Sequence, residues 1–390
     1  MKNNSKNNSQ KDPKIPLTRI SWEPDVTEKL EAWIRETAAG RFQDLTSEVE
    51  AWFEVKLNRP CIAVSSGTAA LHLALRQLDL KHQAEIIMPT LTYAACANVV
   101  LYEGLKPVFC DVNYETWCLD AEKLSKTISN RLQSGAEIGA VMLVHLYGQF
   151  CPMQAIQEVC NQYGIPIIED VAQALGGKES EKPLGSLGDY ACFSFNANKI
   201  LSGMGGGLLA LKTQEEKEEI RNLIRHGRMP FENGLAHYKH HTLGFNYQMS
   251  GYTSALIQFQ LPHLDERLHK KHQVFDKYHQ QLSSVHRFKN QGYLSSENNT
   301  RWMSCFEINQ DKGNQDSRDD LCRHLWRKGI EARPVFRPLH QQTAFTGQVA
   351  MDSKTAEQIA QTGICLPSSC DLQPDEQDKV IATIGKCLEG

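Results

Sequence analysis

A mainly parallel α/β sheet covered on both faces, followed by a smaller α+β domain, is the fold class that this sequence predicts. Three observations carry it. Short apolar runs at residues 62–64, 85–88, 107–110, 140–144, 166–169, 190–195 and 207–211 are mostly separated by helix-length segments, which is the alternation of a wound parallel sheet. At 390 residues and 41% hydrophobic content, the chain can bury one large core and a second smaller one. After about residue 250 the texture changes to a long polar helical stretch over 258–282, short runs such as 305–308, and a closing helix near 375–388.

The resulting division is a tail over 1–15, a large domain over 16–255 and a small C-terminal domain over 256–390. The tail is rich in Lys and Asn and holds too little apolar surface to offset the entropy of ordering, so it is expected to be flexible.

Composition excludes several classes of function. The formal charge is -4 and there is no basic tract of the kind that binds a phosphate backbone, so nucleic acid is not an expected partner. No apolar run approaches the roughly 20 residues needed to cross a bilayer, and the N-terminus lacks the apolar centre of a signal peptide. A cytoplasmic location without membrane attachment is expected. The twelve cysteines include no Cys-x-x-Cys pair and lie mostly in apolar segments, which favours buried reduced thiols over disulfides or zinc. His237, His240 and His241 stand close together, but no acidic or cysteine partner follows them, and no metal is expected.

Candidate chemistry gathers at the ends of the apolar runs, where open α/β sheets bind ligands. Ser65-Ser66-Gly67-Thr68-Ala69-Ala70 joins one run to a helical pattern. The amides of Gly67, Thr68 and Ala69 there offer an anion site at a helix N-terminus, although an ordinary capped helix start has the same sequence. Asp170 follows the run at 166–169 and suits either a protonated pyridine nitrogen, which needs a nearby anion, or a turn cap. Tyr93 suits stacking on a flat ring or a place in the core. Lys199 follows the run at 190–195 and precedes Gly205-Gly206-Gly207. A desolvated amine is a good nucleophile, and a glycine run lets backbone approach closely. With Ser194 beside the same turn, these residues suggest a pyridoxal 5′-phosphate site.

Six motifs in order, Ser66-Gly-Thr-Ala-Ala-Leu71, His145-Leu-Tyr-Gly148, Glu169-Asp-Val-Ala-Gln-Ala-Leu-Gly176, Ser194-Phe-Asn-Ala-Asn-Lys199, Gly244-Phe-Asn-Tyr247 and Gly363-Ile-Cys-Leu-Pro367, resemble the DegT/StrS-type nucleotide-sugar aminotransferases. The resemblance covers nearly the whole chain after the tail. It implies a type I, aspartate-aminotransferase-like fold in a homodimer, with pyridoxal 5′-phosphate held covalently by Lys199. It further implies Asp170 at the ring nitrogen, Gln173 beside the ring, Tyr93 stacked on it, and Gly67, Thr68, Ala69 and Ser194 around the phosphate. Asn246 would reach that phosphate from the partner subunit.

Within the family, Asn198-Lys199-Ile-Leu, Arg301-Trp302 and Glu331-Ala-Arg-Pro-Val-Phe-Arg-Pro-Leu-His340 look most like enzymes that aminate C4 of a UDP-linked 4-keto-6-deoxy-N-acetylhexosamine with L-glutamate as donor. Amination of a dTDP- or GDP-linked 3- or 4-ketosugar is the nearest alternative. A pyridoxamine-dependent sugar dehydratase is disfavoured because such members carry histidine where this chain has Lys199, and a non-catalytic regulatory protein is disfavoured by the intact motif residues. Arg333, Arg337 and His340 are candidates for the nucleotide diphosphate or sugar, or are surface charges of the small domain. Two departures stand out: Gln248 occupies the place of an arginine usual in the family, and the 40–45 segment departs from the proline- and glycine-containing pattern that commonly opens its substrate loop.

Overall fold

The computed structural model describes residues 14–41, 43–229, 238–285, 287–290, 298–309 and 318–388. Its strands are β1 (Cys61–Val64), β2 (Glu85–Pro89), β3 (Lys106–Cys110), β4 (Ile138–Val144), β5 (Ile167–Asp170), β6 (Lys178–Glu179), β7 (Lys182–Pro183), β8 (Tyr190–Ser194), β9 (Gly207–Ala210), β10 (Phe288–Asn290), β11 (Ser304–Ile308), β12 (Arg333–Pro334), β13 (Val349–Ala350) and β14 (Gly363–Leu366). The helices are α1 (Pro24–Ala38), α2 (Thr46–Leu57), α3 (Gly67–Arg76), α4 (Ala95–Tyr102), α5 (Ala121–Gln133), α6 (Met153–Tyr163), α7 (Gln214–Leu223), α8 (Gly251–Gln260), α9 (Leu264–Leu282), α10 (Arg318–Arg327), α11 (Lys354–Thr362) and α12 (Pro374–Leu388).

All seven apolar runs form strands of one sheet, in the order β1-β9-β8-β5-β4-β2-β3-β13. Burial on both faces explains their unbroken apolarity: β1, β2, β5 and β9 are buried at every position. The sheet is parallel except at β9, which runs antiparallel to both β1 and β8. The reversal has a local cause. Residues 195–206 hold no helix, and a parallel return needs a crossover of a dozen or more residues, usually helical.

Helix boundaries follow local chemistry. Asp120 caps α5 through the Lys123 amide (3.0 Å), and Thr213 with Glu216 forms a capping box at the start of α7. Pro262 falls in a short 3-10 turn between α8 and α9, so the polar stretch over 258–282 is the end of one helix and all of another.

A four-stranded sheet, β10-β11-β14-β12, forms the second layer system. It packs with α9, α10 and α12 around Phe275, Tyr278, Phe306, Leu325 and Val380. The C-terminal third is also threaded into the large sheet: β13 pairs in parallel with β3, and Leu339, Phe345 and Ile359 join the large core. At the other end, Ile15 is buried, and its backbone exchanges hydrogen bonds with Gly329 (3.0 Å) and Glu331 (2.9 Å). Its apolar side chain therefore separates it from the polar residues before it; Lys14 is exposed, and residues 1–13 of the expected tail lie outside the described residues.

The turn after β4 shows how tightly the two sheets are joined. Gly148 sits at φ +97°, where a Cβ would lie 2.5 Å from the Trp302 amide nitrogen and 2.8 Å from Arg301 N. Gly148→Ala combines a left-handed conformation with backbone collision. We expect it to destabilise the protein by about 2–3 kcal/mol, read as a lower urea midpoint; an unchanged midpoint would show that this approach is not a constraint.

Candidate active site

The site is assembled at one edge of the large sheet, where β4, β5 and β8 end in parallel and β9 begins. Val144 pairs with Asp170, Asp170 with Cys192, and Ser194 with Gly207. Register alone thus brings His145, Asp170 and Ser194 to neighbouring strand ends.

Ser66 caps α3 by accepting the Ala69 amide at 3.0 Å. Helix geometry leaves the Gly67 and Thr68 amides without intrahelical acceptors, so a complete cap and two amides outside the helical ladder coexist in one turn. Gly67 faces Ser194: a Cβ on Gly67 would lie 2.8 Å from the Ser194 Cβ. The glycine run explains itself here. A Cβ on Gly207 would collide with the Ser66 carbonyl and the Gly67 amide, so the backbone that this run lets in is the helix start itself. Tyr247 and Gly206 complete the cradle, through bonds from Ser65 N to Tyr247 O (2.7 Å) and from Gly206 N to Ser65 O (2.9 Å).

Asp170 is buried. Its Oδ1 accepts the Ala172 amide at 2.9 Å and its Oδ2 accepts the Cys96 thiol at 3.3 Å. Burial raises its carboxyl above the ordinary range, against the opposing pull of the Ala172 amide, the Cys96 thiol and the charge of Lys199. A neighbouring cation would therefore be stabilised and would in turn favour the carboxylate. Gln173, also buried, accepts the Tyr147 amide through Oε1 at 2.9 Å, which fixes the orientation of its side chain.

Sequence reasoning gave no role to the buried pair beneath Asp170. His145 and Glu169 are both fully buried, with Nε2 and Oε2 3.2 Å apart. The Cys151 amide donates to His145 Nδ1 (3.1 Å); that nitrogen is therefore the acceptor and Nε2–H donates to Glu169. Burial would raise the Glu169 carboxyl, but His145 together with the Gly188 and Gly185 amides holds it below its ordinary value.

Lys199 is half-buried in a loop closed on itself by bonds from Phe195 N to Gly206 O (3.0 Å) and from Gly203 N to Phe195 O (2.8 Å). Three distant side chains take alternate carbonyls of that loop. Trp302 Nε1 donates to Asn198 O (2.8 Å), Arg267 Nη1 to Ile200 O (2.9 Å) and Gln260 Nε2 to Ser202 O (2.8 Å). None of these anchors was legible beforehand. Burial draws the Lys199 ammonium down to about 8, with the Asp170 charge acting in the opposite direction.

The remaining candidates are spread more widely. Tyr93 is 60% exposed, which removes the core alternative, and its ring lies 6.0 Å from Phe336. Asn246 is exposed, next to the Tyr247 carbonyl that receives Ser65 N. Arg333 is exposed and paired with Glu331 (2.5 Å), and Arg337 is exposed. His340 is braced on both ring nitrogens, by Thr90 Oγ1 (2.7 Å) and Glu357 Oε1 (2.9 Å). Gln248 lines a cavity of about 270 Å³ with Glu50, Arg221 and Arg225, so arginines from the end of α7 and just beyond it stand where the motif lacks one. The 40–45 segment links α1 to α2, with Phe42 outside the described residues and the Gln43 carbonyl held by Trp33 Nε1 (3.0 Å). Of the three clustered histidines, His237 lies outside the described residues, while His240 Nδ1 donates to the His226 carbonyl (2.9 Å).

The sequence pattern of the DegT/DnrJ/EryC1/StrS aminotransferase family matches residues 26–385. The chain belongs to that family. A GDP-perosamine synthase of Caulobacter vibrioides is 35% identical over 328 residues, covering 84% of this chain and 85% of its own. A UDP-N-acetyl-3-dehydro-alpha-D-glucosamine 3-aminotransferase of Acidithiobacillus ferrooxidans is 29% identical over 332 residues, covering 84% of each. The crystal structure of a DegT/DnrJ/EryC1/StrS aminotransferase from Brucella abortus superposes with a TM-score of 0.85 at 25% identity, over 94% of this chain and 97% of that one.

Pyridoxal 5′-phosphate is the cofactor of the DegT/DnrJ/EryC1/StrS aminotransferases, and the residues present fit it. A helix N-terminus whose first amides lack intrahelical acceptors lies beside Ser194, a buried carboxyl stands at the end of β5, and an amine of lowered basicity stands nearby. An amine reacts as a nucleophile in its neutral form, so acylation of Lys199 in the cofactor-free protein should speed up as pH rises through about 8. Labelling of Lys199 by an amine-acylating reagent, followed by peptide mass spectrometry across pH, checks this; a midpoint at the ordinary lysine value of about 10.4 would contradict it.

Proposed function

We propose that this protein transfers an amino group from L-glutamate to C4 of a nucleotide-linked 4-keto-6-deoxy sugar, with a UDP-linked N-acetylhexosamine as the preferred acceptor. The observation that carries the reaction type is the meeting of Lys199, Asp170 and the α3 amides at one sheet edge. Bound pyridoxal 5′-phosphate supplies an electron sink for deprotonation next to nitrogen. The protein supplies the rest. The Gly67, Thr68 and Ala69 turn with Ser194 would hold the phosphate, Asp170 would favour a protonated ring nitrogen, and Gln173 and Tyr93 would hold the ring. Lys199 would hold the cofactor covalently, and its free amine would take the proton from the α-carbon of the donor.

The acceptor class is supported by relatives named for GDP- and UDP-linked sugars, and by the Arg301-Trp302 and Glu331 to His340 sequences. With Arg333 paired to Glu331 and His340 braced on both sides, Arg337 is the residue we assign to the anionic part of the acceptor. A homodimer completes the site in this reading. Tyr93, Met204 and Leu243 are large exposed apolar side chains, and covering them with a second copy would bring Asn246 to the neighbouring phosphate. Among the described residues no helix is long and apolar enough to cross a membrane.

Glutamate-dependent conversion of UDP-, dTDP- and GDP-linked ketosugars, with mass detection of the aminated product, tests this reading. We expect the UDP-linked 4-ketosugar to be converted most efficiently, and Lys199→Ala to lose at least about a thousandfold in rate, since it removes both the anchor and the proton carrier. Turnover by Lys199→Ala, or conversion of none of the ketosugars by cofactor-loaded protein, would contradict it.

A further inference from the structure

Trp302 touches the lysine segment twice. Its indole N–H donates to the carbonyl of Asn198, the residue immediately before Lys199, at 2.8 Å. The face of the same ring lies under the Lys199 amine, with Nζ 4.2 Å from the ring centroid, within the range at which an ammonium is attracted by an indole quadrupole.

The ring is fixed in this position from the other sides. Trp302 is buried, and its carbonyl accepts Lys271 Nζ at 3.0 Å. Tyr147 lies parallel to it with centroids 6.3 Å apart and 11° between planes, and Phe336 stacks on Tyr147 at 5.1 Å. Its amide nitrogen is the atom that Gly148 leaves room for. A ring packed in this way cannot follow the lysine when it moves; the lysine must come to the ring.

We propose that Trp302 is a positioning residue for Lys199: its N–H holds the peptide that carries the lysine, and its ring face receives the ammonium whenever the amine is not joined to the cofactor. The inference rests on the transamination reading, in which the amine is set free and recaptured in every turnover. A free ammonium on a flexible stem would otherwise be drawn into solvent, and recapture would carry an ordering cost.

The charged groups around the amine leave this role to the ring. Asp170 faces it from the end of β5 and acts through its charge. Arg19, Arg267 and Lys271 line the cleft beside Lys199 but are committed elsewhere. Arg19 pairs with Glu376 (2.9 Å), Arg267 with Glu23 (2.8 Å), and Lys271 Nζ donates to the carbonyls of Trp302 and Ser368. Arg301 lies over the Phe275 ring, 3.8 Å from its centroid.

The test uses full-length protein freed of cofactor, so that its failure is separate from failure of the proposed reaction. Lys199 acylation is followed across pH by peptide mass spectrometry in the wild type, Trp302→Phe and Trp302→Leu. Because a π face favours the charged amine, Trp302→Leu should lower the midpoint by about half a pH unit, whereas Trp302→Phe, which keeps an aromatic face, should stay near the wild-type value. An unchanged or raised midpoint in folded Trp302→Leu would overturn the proposal. If the leucine variant does not fold, indole fluorescence decides. The emission that is lost in Trp302→Phe should titrate in the wild type with the Lys199 midpoint and should not titrate in Lys199→Met. Emission from Trp302 that is indifferent to Lys199 would overturn the proposal.

Discussion

Three hydrogen bonds to alternate carbonyls of a single loop hold the chemistry of this protein in place. Asn198, Ile200 and Ser202 each give their carbonyl to a side chain from outside the loop, Trp302, Arg267 and Gln260. Each bond also satisfies a polar group that burial would otherwise leave costly. The anchors come from different layers: Gln260 ends α8, Arg267 lies on α9, and Trp302 precedes the small sheet. The lysine loop is thus the point where the large sheet, the connecting helices and the small sheet meet. Arg267 extends the constraint further, since Glu23 and the Ser21 carbonyl hold its guanidinium before α1 begins.

A second, electrostatic constraint lies one residue from the first. Glu169 and Asp170 are adjacent and both buried, yet they are driven in opposite directions. Glu169 is held ionised by an imidazole N–H and by amides of the 185–188 turn, while Asp170 has one amide and one thiol and sits above its ordinary range. Alternation along a strand sends the two side chains to opposite faces. The carboxylate toward the interior is fully satisfied and organises structure; the one toward the site retains unsatisfied capacity for a cation. In the same sense the Ser66 turn keeps the Gly67 and Thr68 amides outside the helical bonding ladder while its cap is complete. The site is a collection of groups whose remaining bonding capacity points to one place.

Much of this was legible because it is local. The seven strands lie within one or two residues of the apolar runs, since burial on both faces writes itself into consecutive residues. Strand ends then placed Asp170, Ser194 and the Ser66 turn together without knowledge of any contact. The direction of β9 was missed because the reading weighed the runs more heavily than the connection between 195 and 206, whose lack of a helix was the available signal. The burial of Ile15 and the return of β13 to the large sheet depend on docking against residues more than two hundred positions away. The anchors of the lysine loop are invisible for the same reason: they act across sequence separations of 104, 67 and 58 residues, and an arginine or glutamine on a polar helix carries no mark of the carbonyl it will meet. His145 and Glu169 were present in recognised motifs, but only the coordinates show that they bond to each other.

The central claim is that Lys199, and no other amine, is the residue that joins the cofactor. Lys271 makes the question a sharp one, because it too is buried, is lowered by burial, and lines the same cleft. Reduction of the cofactor-loaded protein with borohydride, followed by proteolysis and mass spectrometry of the lysine peptides, distinguishes them. The expected result is a pyridoxyl phosphate adduct on the peptide containing Lys199 and an unmodified Lys271. An adduct on Lys271, or on neither lysine in protein that has retained its cofactor, would contradict the account.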